Sequence, residues 1–180
     1  ARGDAAPVVG IFPGSRAPAR RWPADRYAEL ARRLAARGLR VWVFGDARER
    51  ELTARVAAAA GARGLDWGGR TSLPVLAAAL ARCRWFVTND TGPLHLAAAV
   101  GTPVVAVFGS SDPRRTGPVG VPHRVLWRRD LPCVPCLRNA CPRRGRGTAL
   151  PSAVNECLAL VSVDEVERAV EEMERTVTTP

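Results

Sequence analysis

Short apolar runs and longer amphipathic stretches alternate along the first 127 residues. Continuous apolar runs, such as 8–12 and 104–108, predict buried strands, whereas apolar residues three and four positions apart predict helices. The stretch 85–109 combines both patterns and predicts strand, turn, helix, turn and strand, which is a βαβ unit with parallel strands. Repetition of this pattern predicts an α/β fold built on a doubly wound parallel sheet.

The same patterns place the other elements. Further strands are predicted at 39–44, 65–69 (an edge strand), 85–87 and 123–127. A helix opens at Pro23, and its apolar stripe is formed by Tyr27, Leu30, Ala31 and Leu34. Other helices are predicted after Gly45-Asp46, with Leu52 and Val56 buried, and over 73–82, with Ser72 as N-cap, and 93–100. The last of these is apolar on nearly every face, so we expect it to be buried.

The polar turn 88–92 is the first candidate for chemistry. Ligands of open parallel sheets bind beyond the carboxyl ends of the strands, where the first turn of the next helix exposes unpaired N–H groups. Gly92 would let a ligand approach the backbone, and Pro93 suits an early helical position. The turn therefore predicts an anion site, most simply for phosphate. The alternative is a turn without a ligand, in which Asp90 or Thr91 caps the helix.

Four loops follow the carboxyl ends of strands and should meet in one crevice, namely 13–22, 45–49, 69–73 and 89–93. Arg20 and Arg21 could meet a diphosphate, because a guanidinium offers two parallel N–H groups to phosphate oxygens. Alternatively, they are ordinary surface residues of an arginine-rich chain. Glu49 could accept hydrogen bonds from ribose hydroxyls, or could simply be a carboxylate favoured near a helix N-terminus.

His95 lies inside the apolar helix. We expect a buried structural histidine, or one that hydrogen-bonds a ligand phosphate, rather than a catalytic base. No Ser-His-Asp or Cys-His spacing accompanies it to support nucleophilic catalysis.

Composition limits the class of protein. A chain of 180 residues with 47% hydrophobic content can form one domain with a core, and its apolar runs are shorter than the ~20 residues that span a membrane. The net charge is +10 and favours anionic partners such as nucleotides. Nucleic acid is disfavoured, because the arginines are dispersed and aromatic residues make up only 6%. Since the chain begins without Met, we interpret it as a piece of a longer protein or a processed form.

The last third of the chain differs from the repeating pattern. A cysteine-rich loop at 131–147 contains Cys133, Cys136 and Cys141, and Cys157 follows on a short apolar segment. These thiols could hold zinc or an iron–sulfur cluster, form a disulfide, or stay reduced in a packed loop. Cys83 is predicted to be buried and to pack as a small apolar side chain.

A final helix is predicted over 163–175. Ser162 and Glu165 have the spacing of a capping box, and the glutamates on the outer face are expected to be solvated. We expect residues 1–7 to be a linker, 8–175 to form the domain and 176–180 to be a tail.

Four segments together resemble one family. They are PGSRAPARRWPADRYAELARRL, VFGDARERE, GGRTSLPVLAAALARCRWFVTNDTGPLHLAAAVGTPVVAVFGSSDP and CVPCLRNACP. They resemble the carboxyl-terminal domain of the ADP-heptose:lipopolysaccharide heptosyltransferases of glycosyltransferase family 9, and the last is most similar to the heptosyltransferase II branch. The resemblance covers residues 7–175. It implies one Rossmann-like half of a GT-B fold, in which two such domains face each other across a cleft.

The resemblance implies that this domain binds the donor ADP-heptose. It implies contacts at the phosphates from Ser15, Arg16 and Arg20, at the ribose from Glu49, around adenine from Thr71, Ser72 and Leu73, and at the phosphates and sugar from Asp90, Thr91, Gly92, Pro93 and His95. Arg20 would be the catalytic residue, since it would stabilise charge on the leaving ADP. It stands where the family usually has Lys, which changes the geometry of the contact. No metal or other cofactor is implied.

The resemblance also implies an amino-terminal domain that binds the lipopolysaccharide core acceptor and carries the general base. We therefore expect this chain to bind a donor but to transfer nothing alone, in the cytoplasm, with at most peripheral association at the inner face of the inner membrane. Two alternative functions remain. The chain could be a non-catalytic nucleotide-binding module, or an anion-binding domain whose fold is stabilised by a bound metal.

Overall fold

A computed structural model describes residues 6–142 and 155–177. Its six strands form one parallel sheet in the order β3-β2-β1-β4-β5-β6. The strands are β1 (Val8–Phe12), β2 (Arg40–Val43), β3 (Gly64–Asp66), β4 (Trp85–Asn89), β5 (Val104–Phe108) and β6 (His123–Trp127). The helices are α1 (Ala24–Ala36), α2 (Arg50–Ala59), α3 (Leu73–Leu80), α4 (Gly92–Ala99), α5 (Pro113–Thr116), α6 (Glu156–Ala159) and α7 (Val163–Val177). The predicted α/β fold with a doubly wound parallel sheet is confirmed.

The strand order reverses between β1 and β4. The chain winds outward from β1 to β3 at one edge, crosses back through α3, and then winds from β4 to β6 at the other edge. Two connections therefore leave β1 and β4 on opposite sides, and a crevice opens beyond their carboxyl ends.

Helices pack on both faces of the sheet because the central strands are apolar on both sides. One face of β1, β2, β4 and β5 packs against α1, α2 and α7 around Val9, Val41 and Val105. The opposite face packs against α3 and α4 around Phe44, Phe86 and other residues. Such two-sided burial explains why these strands read as continuous apolar runs.

The two long helices follow their sequence signals. Tyr27, Leu30, Ala31 and Leu34 of α1 are buried as predicted. At α7, the Ser162 N–H donates to Glu165 Oε2 at 2.8 Å and the Glu165 N–H donates to Ser162 Oγ at 3.2 Å, which confirms the capping box. The outer glutamates are not simply solvated, however. Arg33 and Arg37 of α1 form ion pairs with Glu167, Glu171 and Glu174.

Three other predictions need correction. The helix α4 buries only Leu94 and Ala97 completely, because it packs on the sheet along one side: Leu96 is partly buried against the core, whereas His95 and Ala99 are exposed. The strand β4 continues through Thr88 and Asn89, which we expected in the turn. In α2, Leu52 is only half-buried, and Thr53, Val56 and Ala57 form the inner face.

Several predicted segments extend past the described part of the chain. Most of the linker, part of the cysteine-rich loop and most of the tail lie outside the described residues. The final helix ends at Val177, two positions later than predicted. No described helix has the length and apolar character needed to cross a bilayer.

Candidate functional site

One open cavity of about 710 Å³ lies at the carboxyl edge of the sheet. All four loops predicted to form a crevice line it. Their contributions include Ser15, Arg16, Arg20, Glu49, Thr71, Ser72, Leu73, Asp90, Thr91, Gly92 and Pro93. Phe12, Leu76 and Asn139 complete the wall.

The loop after β1 is fixed to the end of β4 by Asn89. The buried amide of Asn89 accepts from the Trp22 N–H at 2.9 Å and donates to the carbonyls of Pro13 and Gly14 at 2.9 and 3.0 Å. Trp22 in turn donates from its indole to the carbonyl of Val161. These bonds hold both ends of the loop that carries Ser15 and Arg20.

Arg20 and Asp90 face each other across the cavity floor. The guanidinium of Arg20 lies 3.2 Å from the Asp90 carboxylate, which is almost fully buried and also accepts from the Ser111 hydroxyl. Among the residues that the structure describes, the buried Nε of Arg20 has no hydrogen-bond partner, which is costly. The Arg20 side chain as a whole lines the cavity and is 32% exposed, so an anion that enters can reach its guanidinium group.

The start of α4 also lacks a side-chain partner. Thr91 occupies the N-cap position but makes no capping hydrogen bond, and Asp90 is engaged with Arg20 and Ser111 instead. Thr91 thus holds the N-cap position, as one of the two candidates, but neither Thr91 nor Asp90 supplies the capping hydrogen bond that the alternative without a ligand requires. The Gly92 N–H has no intrahelical partner, so the positive end of the helix remains open toward the cavity.

Glu49 has a structural role in addition to its place in the cavity. It closes a capping box in which the Asp46 N–H donates to Glu49 Oε2 at 3.1 Å and the Arg48 N–H donates to Asp46 Oδ1 at 2.8 Å. Its carboxylate lies against Gly14, where a Cβ would come within 1.9 Å of Oε1. Both loops are thereby brought together at the cavity.

The far end of the cavity is formed by the segment that opens α3. Ser72 occupies the N-cap position of α3 as predicted, but its side chain makes no capping bond. Leu73 lines the cavity and is 69% exposed, which leaves an apolar surface open to a flat ligand.

Two of the candidate residues, Arg21 and His95, do not line the cavity. The Arg21 Nε instead donates to the carbonyl of Ser15 at 2.5 Å. For His95 the reason is its place on α4. It lies on the exposed side of α4 and is absent from the lining residues. The expectation of a buried structural histidine is wrong, because α4 packs through Leu94 and Ala97 and turns His95 outward.

Four of the five cysteines line a second, small cavity of about 40 Å³, namely Cys133, Cys136, Cys141 and Cys157. All five cysteines of the chain are free thiols, and Cys83 is buried as predicted. Within the ranges 6–142 and 155–177, no three His, Cys, Asp or Glu side chains form a group that could hold a metal ion.

Three residues of the site were not predicted from the sequence. Asn89 was assigned only to a turn, and Ser111 and Asn139 were not considered. The signal for Ser111 was present, because the loop after β5 also leaves the carboxyl edge of a parallel strand. The roles of Asn89 and Asn139 depend on contacts with residues far away in sequence, which no local pattern reveals.

Known proteins share both the sequence and the fold. Residues 2–145 match the model of glycosyltransferase family 9 (heptosyltransferase). Lipopolysaccharide heptosyltransferase 2 of Escherichia coli and that of Salmonella typhimurium are each 38% identical over 125 residues, which is 67% of this chain and 36% of each relative. Lipopolysaccharide heptosyltransferase 1 of Pseudomonas aeruginosa is 38% identical over 140 residues, or 76% of this chain and 38% of that relative.

Solved structures agree. The ADP-heptose lipopolysaccharide heptosyltransferase II of E. coli superposes with a TM-score of 0.80 at 27% identity and covers 98% of this chain. A family 9 glycosyltransferase of Veillonella parvula gives 0.78 at 27% identity and covers 95% of this chain. The chain spans 49% and 46% of these two structures and little more than a third of the curated relatives. The chain therefore belongs to glycosyltransferase family 9, the heptosyltransferase family.

Proposed function

We propose that this chain is the donor-binding part of an inverting glycosyltransferase that transfers heptose from ADP-heptose to the inner core of lipopolysaccharide. Membership of family 9 and the names of the relatives support the reaction class and both substrates. One structural observation carries the proposal. The guanidinium of Arg20 and the start of α4, which has no side-chain cap, line the same cavity, so two donors for an anion converge there.

The order of the strands supports one orientation of the donor along the cavity. The loops follow β3, β2, β1 and β4 in that spatial order, so Thr71, Ser72 and Leu73 lie at one end and Asp90 to Pro93 at the other. Adenine would lie on the exposed apolar surface of Leu73, and the ribose would lie beside Glu49. The diphosphate would then reach Ser15, Arg16, Arg20 and the start of α4.

Charge stabilisation is the chemical contribution of this chain. When an acceptor hydroxyl attacks the anomeric carbon of the heptose, the bond to ADP breaks and its oxygen gains negative charge. Arg20 and the Gly92 N–H would stabilise that charge, and Asp90 and Ser111 would hold the guanidinium in place. Fixed donors of this kind need no reorganisation as the charge develops.

The remaining chemistry would come from an acceptor-binding domain with the general base. The chain spans only 36% of the enterobacterial relatives, which is consistent with this division. Alone, it would bind donor without transferring sugar. We place the reaction in the cytoplasm at the inner face of the inner membrane, where a lipid-linked acceptor would be reached by peripheral association.

Calorimetric titration of the chain with ADP tests the proposal through Arg20. Arg20→Ala removes a charge-assisted hydrogen bond, so ADP should bind about tenfold more weakly. Arg82→Ala is the matched control, because it removes an exposed arginine that precedes β4, at the opposite edge of the sheet. Equal affinity for the two variants, or no ADP binding by the unaltered chain, would contradict the proposal.

A further inference from the structure

Asn139 lines the proposed donor cavity together with the four predicted loops. It lines the same cavity as Arg20 and Asp90, although it belongs to the irregular segment after β6. Nothing in the sequence pattern assigned this residue a role.

Backbone hydrogen bonds fix Asn139 next to the loop that carries Arg20. The Asn139 carbonyl accepts from the Ala19 N–H at 3.0 Å, one residue before Arg20. Two residues earlier, the Leu137 N–H donates to the carbonyl of Ser110 at 2.8 Å. Leu131 and Val134 pack against the core. The segment is therefore held to the loops after β1 and β5, and Asn139 keeps its position relative to Arg20.

The strand order and these backbone bonds together indicate which part of a nucleotide sugar Asn139 would face. The loop after β3, where adenine is proposed to lie, is at one side of the reversal between β1 and β4. The segment of Asn139 is instead bound through Ala19 to the loop after β1 and through Ser110 to the loop after β5, on the other side of β4. A donor that spans the cavity from the β3 loop past Arg20 would bring the group beyond its diphosphate to Asn139.

The chemistry of the side chain fits a sugar better than a phosphate. A carboxamide offers two N–H donors and one carbonyl acceptor without net charge, and a sugar hydroxyl both donates and accepts. The Asn139 side chain is exposed, and within the described part of the chain its amide has no hydrogen-bond partner. All its hydrogen-bonding groups are thus available to a ligand.

We propose that Asn139 is a specificity-determining residue whose amide hydrogen-bonds hydroxyl groups of the transferred sugar. The inference rests on the proposed function, because it takes the ligand to be an ADP-linked sugar. It extends the donor site from the four loops of the nucleotide crevice to the cysteine-containing segment.

Titration with two ligands separates a sugar contact from other effects. Asn139→Ala leaves the backbone bond to Ala19 in place and removes only the amide. The variant should bind ADP-heptose about fivefold more weakly, the loss of one or two neutral hydrogen bonds, and should bind ADP within twofold of the unaltered chain. Retained ADP binding also shows that the variant is folded.

The neighbouring Arg138→Ala is the control, because Arg138 is exposed and does not line the cavity. It should leave the ratio of the two affinities unchanged. The inference is overturned if Asn139→Ala weakens both ligands equally or neither. These outcomes differ from failure of the proposed function, in which the unaltered chain would bind neither ligand.

Discussion

Gly92 opens α4 at the proposed donor cavity, yet the fold itself does not require a glycine there. A Cβ built on Gly92 meets no atom within 4 Å, and its backbone is outside the positive-φ region occupied by Gly38 and Gly101. At Gly14, by contrast, a Cβ would collide with Glu49. The open space at Gly92 is explained if a ligand approaches the helix start closely.

Gly92→Ala should therefore separate stability from binding. The free energy of unfolding should stay equal or rise by about 0.4–1 kcal/mol, because alanine restricts the unfolded chain and fits the native backbone. The affinity for ADP should fall on the order of tenfold, since the new methyl group stands where the phosphate approaches. Chemical denaturation and calorimetric titration measure the two effects. An ADP affinity within twofold of the unaltered chain would mean that no ligand uses this space.

The thiols differ in their protection by the fold. Burial raises the pKa of Cys83 to about 12. Burial, together with neighbouring Cys141, Cys133 and Cys136, raises that of Cys157 to about 11. Since only the thiolate reacts, iodoacetamide at pH 8 should label the half-buried Cys133 much faster than these two, as read by mass spectrometry.

The same shifts give a direction for stability. Unfolded thiols ionise near pH 9 while the folded ones stay neutral, so the free energy of unfolding should fall as the pH rises from 9 toward 11. Labelling of Cys157 as fast as that of Cys133 in the native protein would contradict this account.

At the scale of elements, the helices and strands could be predicted where one local signal dominates. The apolar stripe of α1 and the capping box of α7 were both correct because they depend on residues three or four positions apart. The burial of α4 was predicted wrongly, because its alanines give a high apolar content without deciding which face packs. The ion pairs between α1 and α7 could not be predicted, since residues 33 and 167 meet only in the folded chain.

The two serine N-cap positions provide a matched test of the capping box. Ser162→Ala should lower the free energy of unfolding by about 1 kcal/mol, because it leaves the first-turn N–H of Glu165 without its partner. Ser72→Ala should cost less than half of that, since the Ser72 side chain makes no capping bond. Equal losses in denaturant titrations would show that the capping hydrogen bonds are not the cause.

The pH dependence of stability in acid tests the capping box of α7 in a second way. Hydrogen bonding to Arg128, more than to Ser162, lowers the pKa of Glu165 from 4.5 to about 2. Its contribution to stability is therefore present above pH 4.5 and is lost as the pH falls toward 2. The part of the Ser162→Ala difference that comes from the Ser162 hydroxyl donating to the Glu165 carboxylate should shrink over that interval, whereas the part from the Glu165 N–H should remain.

At the scale of the whole molecule, the alternation of strands and helices predicted the parallel sheet and the edge of the sheet at which the cavity lies. It did not predict the strand order, because local patterns cannot show that α3 carries the chain from one edge back to β1. That crossing creates the crevice and brings Asn89 against Pro13 and Gly14, so it also explains why the bonds that hold the site were missed. Local sequence predicted most of the residues that line the cavity, whereas the hydrogen bonds that hold their loops in place depend on the topology.

The most direct test of the central claim is a crystal structure of this chain with ADP. We predict diphosphate oxygens within hydrogen-bonding distance of the Arg20 guanidinium and the Gly92 N–H, with adenine against Leu73 at the other end of the cavity. A nucleotide bound with its diphosphate away from the start of α4, or at the amino edge of the sheet, would contradict the account.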